Sequence, residues 1–233
     1  MRFFKYHALG NDYLVLEPQD CAPLFSQDAI RKVCHRHYGL GSDGILYGPI
    51  ERTDGAFGLR ILNPDGSEAE KSGNGIRIFC RHLLETKRVQ EGQAFKVHTL
   101  GGLVGCSVFE GGNRIRVEMG QVSFSAPVIP HIGADREVLG ESITVHGKTF
   151  KYWAATVGNP HCVIPVDDLS PDLAKTYGPA LETHPNFPNR TNVQFMKIID
   201  RQNVQIEIWE RGAGYTLASG SSSSASAAVA RKM

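Results

Sequence analysis

Apolar positions along this chain recur with two spacings, and the changes between them mark its elements. "FFKYHAL" (3–9) and "DYLVLEP" (12–18) read as strands around a Gly10-Asn11 turn. From Ser26, "SQDAIRKVCHRHYG" sets Ala29, Ile30, Val33 and His37 on one face. That spacing predicts a helix with Ser26 as its N-cap and Gly39 as its stop. "FGLRILNPDGSEAE" reads as a strand, a Pro-Asp-Gly turn and a polar strand. From Gly73, "GNGIRIFCRHLLETKR" puts Ile76, Phe79, Cys80, Leu83 and Leu84 at helical spacing, with basic residues near the end. "FKVHTLGGLVGCSVFE" and "NRIRVEMGQV" are further strands.

The second half runs in the same order. Strands are expected at "ITVHGKTFKYWAATVG" and "HCVIPV", then a helix at "LAKTYGPALETH". Strands return at "TNVQFMKIID" and "NVQIEIWERGAG", and "SGSSSSASAAVARK" is a helix of small residues. Each half thus closes a strand series with Ser-Gly at a helix start. The pattern predicts a duplicated α/β unit with its break near residue 120, giving domains 1–119 and 120–233. After its helix the first half carries further strands. The second reaches Met233 directly after its helix, so its closing strands are expected to be missing.

A length of 233 residues allows one large domain or two small ones. Hydrophobic residues at 41% and charged residues at 21% fit a globular protein. A net charge of +1 argues against a nucleic-acid or membrane-surface partner. No run approaches the roughly 18 apolar residues of a membrane span. "MRFFKYHALGNDYLVLEP" has no uninterrupted apolar core of signal-peptide length, so a cytoplasmic protein is expected.

The five cysteines are odd in number and none is spaced C-x-x-C. This excludes a thiolate zinc site and a disulfide framework as first readings, and free, mostly buried thiols are expected. "GLGSDG" (39–44) lacks the Lys-Ser/Thr of a phosphate loop. His35, His37 and His161 have no spaced carboxylate, so no metal is expected, and His35 and His37 are assigned to a solvated helix face. Cys162 follows His161 on a strand, faces the other way and is assigned to the core.

The chemistry-bearing feature is the pair of serines at the two helix starts. Such a start presents outward N–H groups and the positive end of the helix dipole, a setting that binds carboxylates. Glycine in the first turn lets a ligand approach the backbone. Gly73-Asn74 and Gly220-Ser221 supply two such starts. In a pseudo-two-fold protein they are expected to converge in a cleft, with Ser72 and Ser219 on either side of a bound carboxylate. Two proton-handling groups on opposite faces of one carbon are what inversion of a stereocentre needs. Both serines also fit the plain role of helix caps, and the local sequence leaves both roles open. Polar turns at "GND", "NPDGSE", "GNPH", "RTN" and "WERGAG" lie where binding residues concentrate.

These residues resemble the diaminopimelate epimerase family. "HALGND", "NPDGSEAEKSGNGIRIFCRHL", "VGNPHCV", "NRTNVQF" and "WERGAGYTLASGSSSSASAAVA" match in order and spacing over nearly the whole chain. The resemblance implies an α/β (α+β) fold of two pseudo-symmetric domains, each a β-barrel-like sheet around a central helix. It implies cofactor-independent, two-base inversion at the α-carbon of an amino acid, interconverting LL- and meso-diaminopimelate, in a homodimer. By position, Asn11, Asn63, Asn159, Asn192, Glu210 and Arg211 would hold the substrate's amino and carboxylate groups. Gly73, Asn74, Gly220 and Ser221 would bind the reacting carboxylate, and His161 and Glu210 would flank the catalytic pair.

The family's catalytic cysteines, one a thiolate base and one a thiol acid, fall at Ser72 and Ser219. A thiol titrates at about 8.5 and lower at a helix start. An alcohol is a far weaker acid and needs an adjacent base. Gly44 stands where some members have Gln, and Lys71 where an uncharged residue is common. Three readings stay open. Cysteines were replaced deliberately; or a natural serine branch performs an easier reaction, such as dehydration, or racemises with Lys71 or His161 as base; or the protein binds a ligand without catalysis. The run Ser221–Ser224 differs from the family's usual Gly-Thr-Gly-Ala and favours the natural branch.

Overall fold

The structure, a computed structural model, describes residues 2–21 and 26–233. The chain divides into two compact units, Met1–Met119 and Gly120–Met233. In the first, β1 (Phe4–Ala8) and β2 (Asn11–Leu16) form an antiparallel hairpin. Helix α1 (Gln27–Cys34) leads to β3 (Ile45–Ile50), which lies parallel to β2. β4 (Phe57–Leu62) returns antiparallel to β3, and the short β5 (Glu68–Ala69) folds back on β4. Then come α2 (Gly73–Glu85), β6 (Ala94–Thr99), β7 (Gly102–Phe109) and β8 (Arg114–Val117).

The sheet order is β1-β2-β3-β4-β6-β7-β8, with β5 beside β4. The sheet wraps α2, which packs on β1 and β2 near one edge and on β7 and β8 near the other. The cause is the apolar stripe read from the sequence. Ile76, Phe79, Cys80 and Leu83 are fully buried among Val15, Leu46, Ile61, Val97, Val104 and Val108. Each large side chain of that stripe contributes about 1.5–3 kcal/mol.

The second unit opens with the hairpin β9 (Glu141–Val145) and β10 (Lys148–Thr156). β11 (Pro160–Pro165) is antiparallel to β10, and α3 (Pro171–Glu182) leads to β12 (Asn192–Ile198), parallel to β11. β13 (Val204–Glu210), β14 (Gly214–Thr216) and α4 (Gly220–Lys232) follow. The six strands run β14-β13-β12-β11-β10-β9. Strand alternation feeds two cores. Cys162, Ile164, Val193 and Phe195 pack with α3, while Val163 and Met196 pack with Ala225 and Val229 of α4.

The succession β1-β2-α1-β3-β4-β5-α2 recurs as β10-β11-α3-β12-β13-β14-α4, with the same sense at every strand pairing. The α+β class, with a sheet around a central helix, agrees with the expectation. All five cysteines are free, and Cys34, Cys80, Cys106 and Cys162 are buried.

Two expectations need correction. α1 ends at Cys34, not at Gly39. His35 leaves helical geometry, and its ring Nδ1 accepts the N–H groups of His37 and Tyr38 at 3.1 Å each, capping a new turn. His35 and His37 are therefore exposed in a turn rather than on a helix face. β3 and β14 were not anticipated. β3 holds Pro49 at a register shift between Tyr47 and Ile50, which hides a strand from pattern reading. β14 is only three residues long.

Candidate active site: two serine-capped helix starts

Each unit builds the same local object. Ser72 has extended backbone (φ −138°, ψ 116°) and accepts the Gly75 N–H at 3.0 Å. Ser219 has nearly the same backbone (φ −146°, ψ 124°) and accepts the Ser222 N–H at 3.4 Å. Gly73 and Asn74, and Gly220 and Ser221, open the two helices. There the backbone N–H groups point outward and the dipole favours an anion.

Around Ser72 the first unit gathers polar groups from β2, the turn before β3 and α2. The Tyr13 hydroxyl lies 3.3 Å from Ser72 Oγ. The Tyr13 ring has room because residue 44 is glycine: a Cβ there would lie 2.7 Å from Tyr13 Cε1 and 2.7 Å from the Leu62 carbonyl. Asn74 Nδ2 donates to Asn11 Oδ1 at 3.1 Å, and Asn11 Nδ2 donates to Asp43 Oδ2 at 3.0 Å. Arg77, one turn on, donates to Asn74 Oδ1 at 2.5 Å.

Asp43 and Asp12 are both held by Arg36, and Lys5 pairs with Asp12. Burial pushes the Asp12 carboxyl up, but bonds from Arg36 and Lys5 outweigh it and bring it to about 2. Asn63 is engaged in its own turn, where Nδ2 donates to Ser67 Oγ at 3.0 Å and Gly66 N–H returns to the Asn63 carbonyl at 2.9 Å. Lys71 is buried, donates to the Met119 carbonyl at 3.1 Å, and has its pKa lowered by burial.

Around Ser219 the second unit places a buried polar chain. Ser219 Oγ is 3.4 Å from Ser221 Oγ, and Asn159 Nδ2 donates to Ser221 Oγ at 3.4 Å. Asn159 Oδ1 lies 2.9 Å from His161 Nε2. Burial pushes the His161 pKa down to about 3, so the ring is neutral. His161 thus reaches Ser219 through two intermediaries rather than directly.

Asn192 donates to the Pro160 carbonyl at 2.8 Å and accepts the Arg211 N–H at 3.1 Å, tying β11 to the loop after β13. Glu210 accepts from Thr216 Oγ1 at 3.2 Å, and Arg211 reaches the Asn189 carbonyl at 3.1 Å. Among the described residues no cluster of His, Cys, Asp or Glu is arranged to hold a metal ion.

Asn11 with Asn74, Asn159 with His161 and Ser221, and Asn192 with Arg211 are therefore brought together, whereas Asn63 and Glu210 bond to their own turns. Four residues escaped the sequence reading. Tyr13 and Asp43 sit inside motifs quoted for other residues. Gln194 is a polar residue inside an apolar strand, a signal that was available. Glu182, at the end of α3, accepts Trp209 Nε1 at 2.7 Å, Gly212 N–H at 2.9 Å and Arg190, and so fixes the loop carrying Glu210 and Arg211. No local pattern marks it.

The sequence model of the diaminopimelate epimerase family matches residues 3–125 and 153–233. Diaminopimelate epimerase 2 of Nostoc sp. (strain PCC 7120) is 57% identical over 233 residues, covering 100% of this chain and 81% of its own. Diaminopimelate epimerase of Moorella thermoacetica is 41% identical over 232 residues, covering 97% and 82%. Among solved structures, a hydroxyproline epimerase from Agrobacterium vitis aligns with a TM-score of 0.70 at 14% identity, over 99% of this chain and 76% of its own. That last likeness is one of fold.

Proposed function

From the premise that this chain belongs to the diaminopimelate epimerase family, we propose that it inverts the α-carbon of diaminopimelate between the LL and meso forms without a cofactor. Ser72 and Ser219 stand at the two proton-handling positions, one from each unit. The observation that carries this reading is the duplicated serine-capped helix start, with matching backbone geometry, in units of matching topology. The outward N–H groups of Gly73, Asn74, Gly220 and Ser221 bind the reacting carboxylate and stabilise the charge that develops on it as the α-proton leaves. Asn11, Asn63, Asn159, Asn192 and Arg211 hold the remaining amino and carboxylate groups. Glu210 and His161 set the polar surroundings of the pair. On this reading the units of residues 1–119 and 120–233 are the two catalytic domains. The protein works as a cytoplasmic homodimer in lysine biosynthesis.

One observation favours a second reading, a slow or silent ligand-binding member. Among the described residues the partners of the two hydroxyls are Tyr13, Gly75 N–H, Ser221 and Ser222 N–H, none of them a carboxylate or an imidazole. An alcohol needs such a base to become a competent proton acceptor. Proton NMR in D₂O with LL-diaminopimelate separates the two. Loss of the α-proton signal supports the epimerase. A persistent signal together with ligand line broadening supports the binder.

A further inference from the structure

The polar groups behind Ser219 form a closed circuit. It runs from Ser219 to Ser221, Asn159 and His161, then to Gln194, Ser222 and back to Ser219. The links are Ser219–Ser221 at 3.4 Å, Asn159 to Ser221 at 3.4 Å, His161 to Asn159 at 2.9 Å, Gln194 Nε2 to Ser222 Oγ at 3.0 Å, and Ser222 N–H to Ser219 Oγ at 3.4 Å. The remaining link is His161 to Gln194. Their strands are paired so that both side chains lie on the face covered by α4, one row apart, and the Gln194 amide as it stands acts on the His161 ring as an acceptor, favouring the protonated ring against the larger effect of burial. His161, Gln194 and Ser222 are fully buried.

The circuit has one break. Among the described residues, His161 Nδ1 and Gln194 Oε1 are buried polar atoms without a hydrogen bond. The two orphans are neighbours, and one cause explains both. Asn159 Oδ1 is an acceptor, so His161 Nε2 carries the proton and Nδ1 is also an acceptor. With Gln194 Nε2 turned to Ser222, an oxygen is left facing that nitrogen, acceptor against acceptor. A buried acceptor without a donor keeps the full cost of leaving water. Turning the Gln194 amide over, an exchange of atoms alike in size, removes both orphans at once. Nε2 then donates to His161 Nδ1, and Oε1 accepts from the Ser222 hydroxyl.

With that turn every side-chain donor in the circuit points the same way. Ser222 O–H donates to Gln194, Gln194 to His161, His161 to Asn159, Asn159 to Ser221, and Ser221 O–H to Ser219 Oγ. Ser219 then accepts from Ser221 O–H and Ser222 N–H, and its own proton is the one hydroxyl hydrogen the circuit does not consume. We propose that Gln194 is a positioning residue that, through His161, Asn159 and Ser221, orients the Ser219 hydroxyl as a hydrogen-bond donor toward the ligand. The proposal rests on the reading of Ser219 as a proton-handling residue. It adds which partner, four links away around the circuit, sets the direction of its hydroxyl.

Nitrogen-15 NMR of uniformly labelled protein reads the His161 ring directly. The expected result is the neutral Nε2–H tautomer, with the Nδ1 resonance displaced to the hydrogen-bonded position. Gln194→Met keeps the volume and removes the donor, and should move Nδ1 to the free-acceptor position while Nε2–H persists. The same variant should slow α-proton exchange in D₂O about tenfold with little change in KM. Finding wild-type His161 as the Nδ1–H tautomer, or a Nδ1 resonance unmoved by Gln194→Met, overturns the proposal. Gln194→Glu guards against a folding failure of the Met variant: its carboxylate has no donor for Nδ1, so the wild-type pattern must be lost there too. A wild-type protein with the expected tautomer and no α-proton exchange would instead sink the epimerase reading and leave the circuit standing.

Discussion

The Tyr13 hydroxyl lies 3.3 Å from the Ser72 hydroxyl, in a space that exists because residue 44 is glycine. Among the described residues the phenol is the one side-chain partner of Ser72 beyond its own helix, and it sits in the buried interior of the first unit. The relationship links two positions at which the family resemblance implies another residue. A serine replaces the expected cysteine, and a glycine replaces the Gln that some members carry.

Tyr13→Phe removes that partner and keeps the ring. One hydrogen bond is worth about 0.5–1.5 kcal/mol, or up to about tenfold in rate. The expected outcome is a severalfold to tenfold slower α-proton exchange with an unchanged melting temperature. Gly44→Gln should displace the Tyr13 ring, because even its Cβ meets ring carbon and carbonyl at 2.7 Å. It should match or exceed the Tyr13→Phe loss. Unaltered exchange in both variants would exclude Tyr13 from the chemistry of Ser72.

Ser72→Cys with Ser219→Cys tests whether the rest of the site is still tuned for proton transfer. Each helix start lowers a thiol's pKa, and the caps keep their geometry because sulfur replaces oxygen at nearly the same place. The double variant should exchange the α-proton faster than wild type by about 10²–10⁴-fold, the range general acid–base catalysis supplies. Each single variant should fall well below the double, since on the proposed two-base reading one thiol is still paired with an alcohol. A double variant no faster than wild type would favour the ligand-binding reading.

The sequence made the two helix starts legible because Ser-Gly before an apolar or small-residue run is a local signal, read without knowing what packs where. The strands flanked by turns were legible for the same reason. β3 was not, because Pro49 interrupts its pattern while tertiary pairing on both sides supplies the strand. The end of α1 was misread because a side-chain acceptor, His35 Nδ1, competes with the backbone for the next two N–H groups. The asparagines were found as a class. Which of them touch was not, since Asn11 meets Asn74 across 63 residues of chain and Asn159 meets Ser221 across 62. Glu182 is the clearest case of a role invisible in sequence. A glutamate at the end of a helix reads as solvated, yet here it is buried and collects three donors from residues 190–212.

Gly178→Ala should be destabilising although it improves helix propensity by about 1 kcal/mol. A Cβ at this position of α3 would lie 2.6 Å from both Cβ and Cγ of Trp209. The indole cannot yield without breaking its 2.7 Å bond to Glu182, which is part of what fixes the loop with Glu210 and Arg211. Overpacking of this kind costs about 1–3 kcal/mol. The expected outcome is a lower melting temperature, by about 2–4 °C per kcal/mol, together with altered Trp209 fluorescence and a raised KM.

Acid should loosen the second unit through His161. Its folded pKa of about 3 lies below the ordinary histidine value of 6.5, because burial penalises the imidazolium. Between those values the unfolded chain holds the proton and the folded chain does not. Stability therefore rises with pH through this window, is fully present above about 6.5, and is lost progressively as pH falls toward the folded value. One proton corresponds to about 1.4 kcal/mol per pH unit. Carboxylates such as Asp12, lowered to about 2, contribute a slope of the same sign at more acidic pH, so the wild-type curve alone does not identify the histidine. The difference between wild type and His161→Gln does, since the variant keeps a side-chain amide for Asn159 and has nothing to titrate. Urea unfolding at intervals from about pH 8 down to about pH 4 should give a steeper decline for wild type than for His161→Gln, by close to one proton at the acid end. The two curves should converge in slope above pH 7. Parallel curves throughout would mean that His161 is not held neutral by burial, and that the circuit behind Ser219 does not have the direction assigned to it.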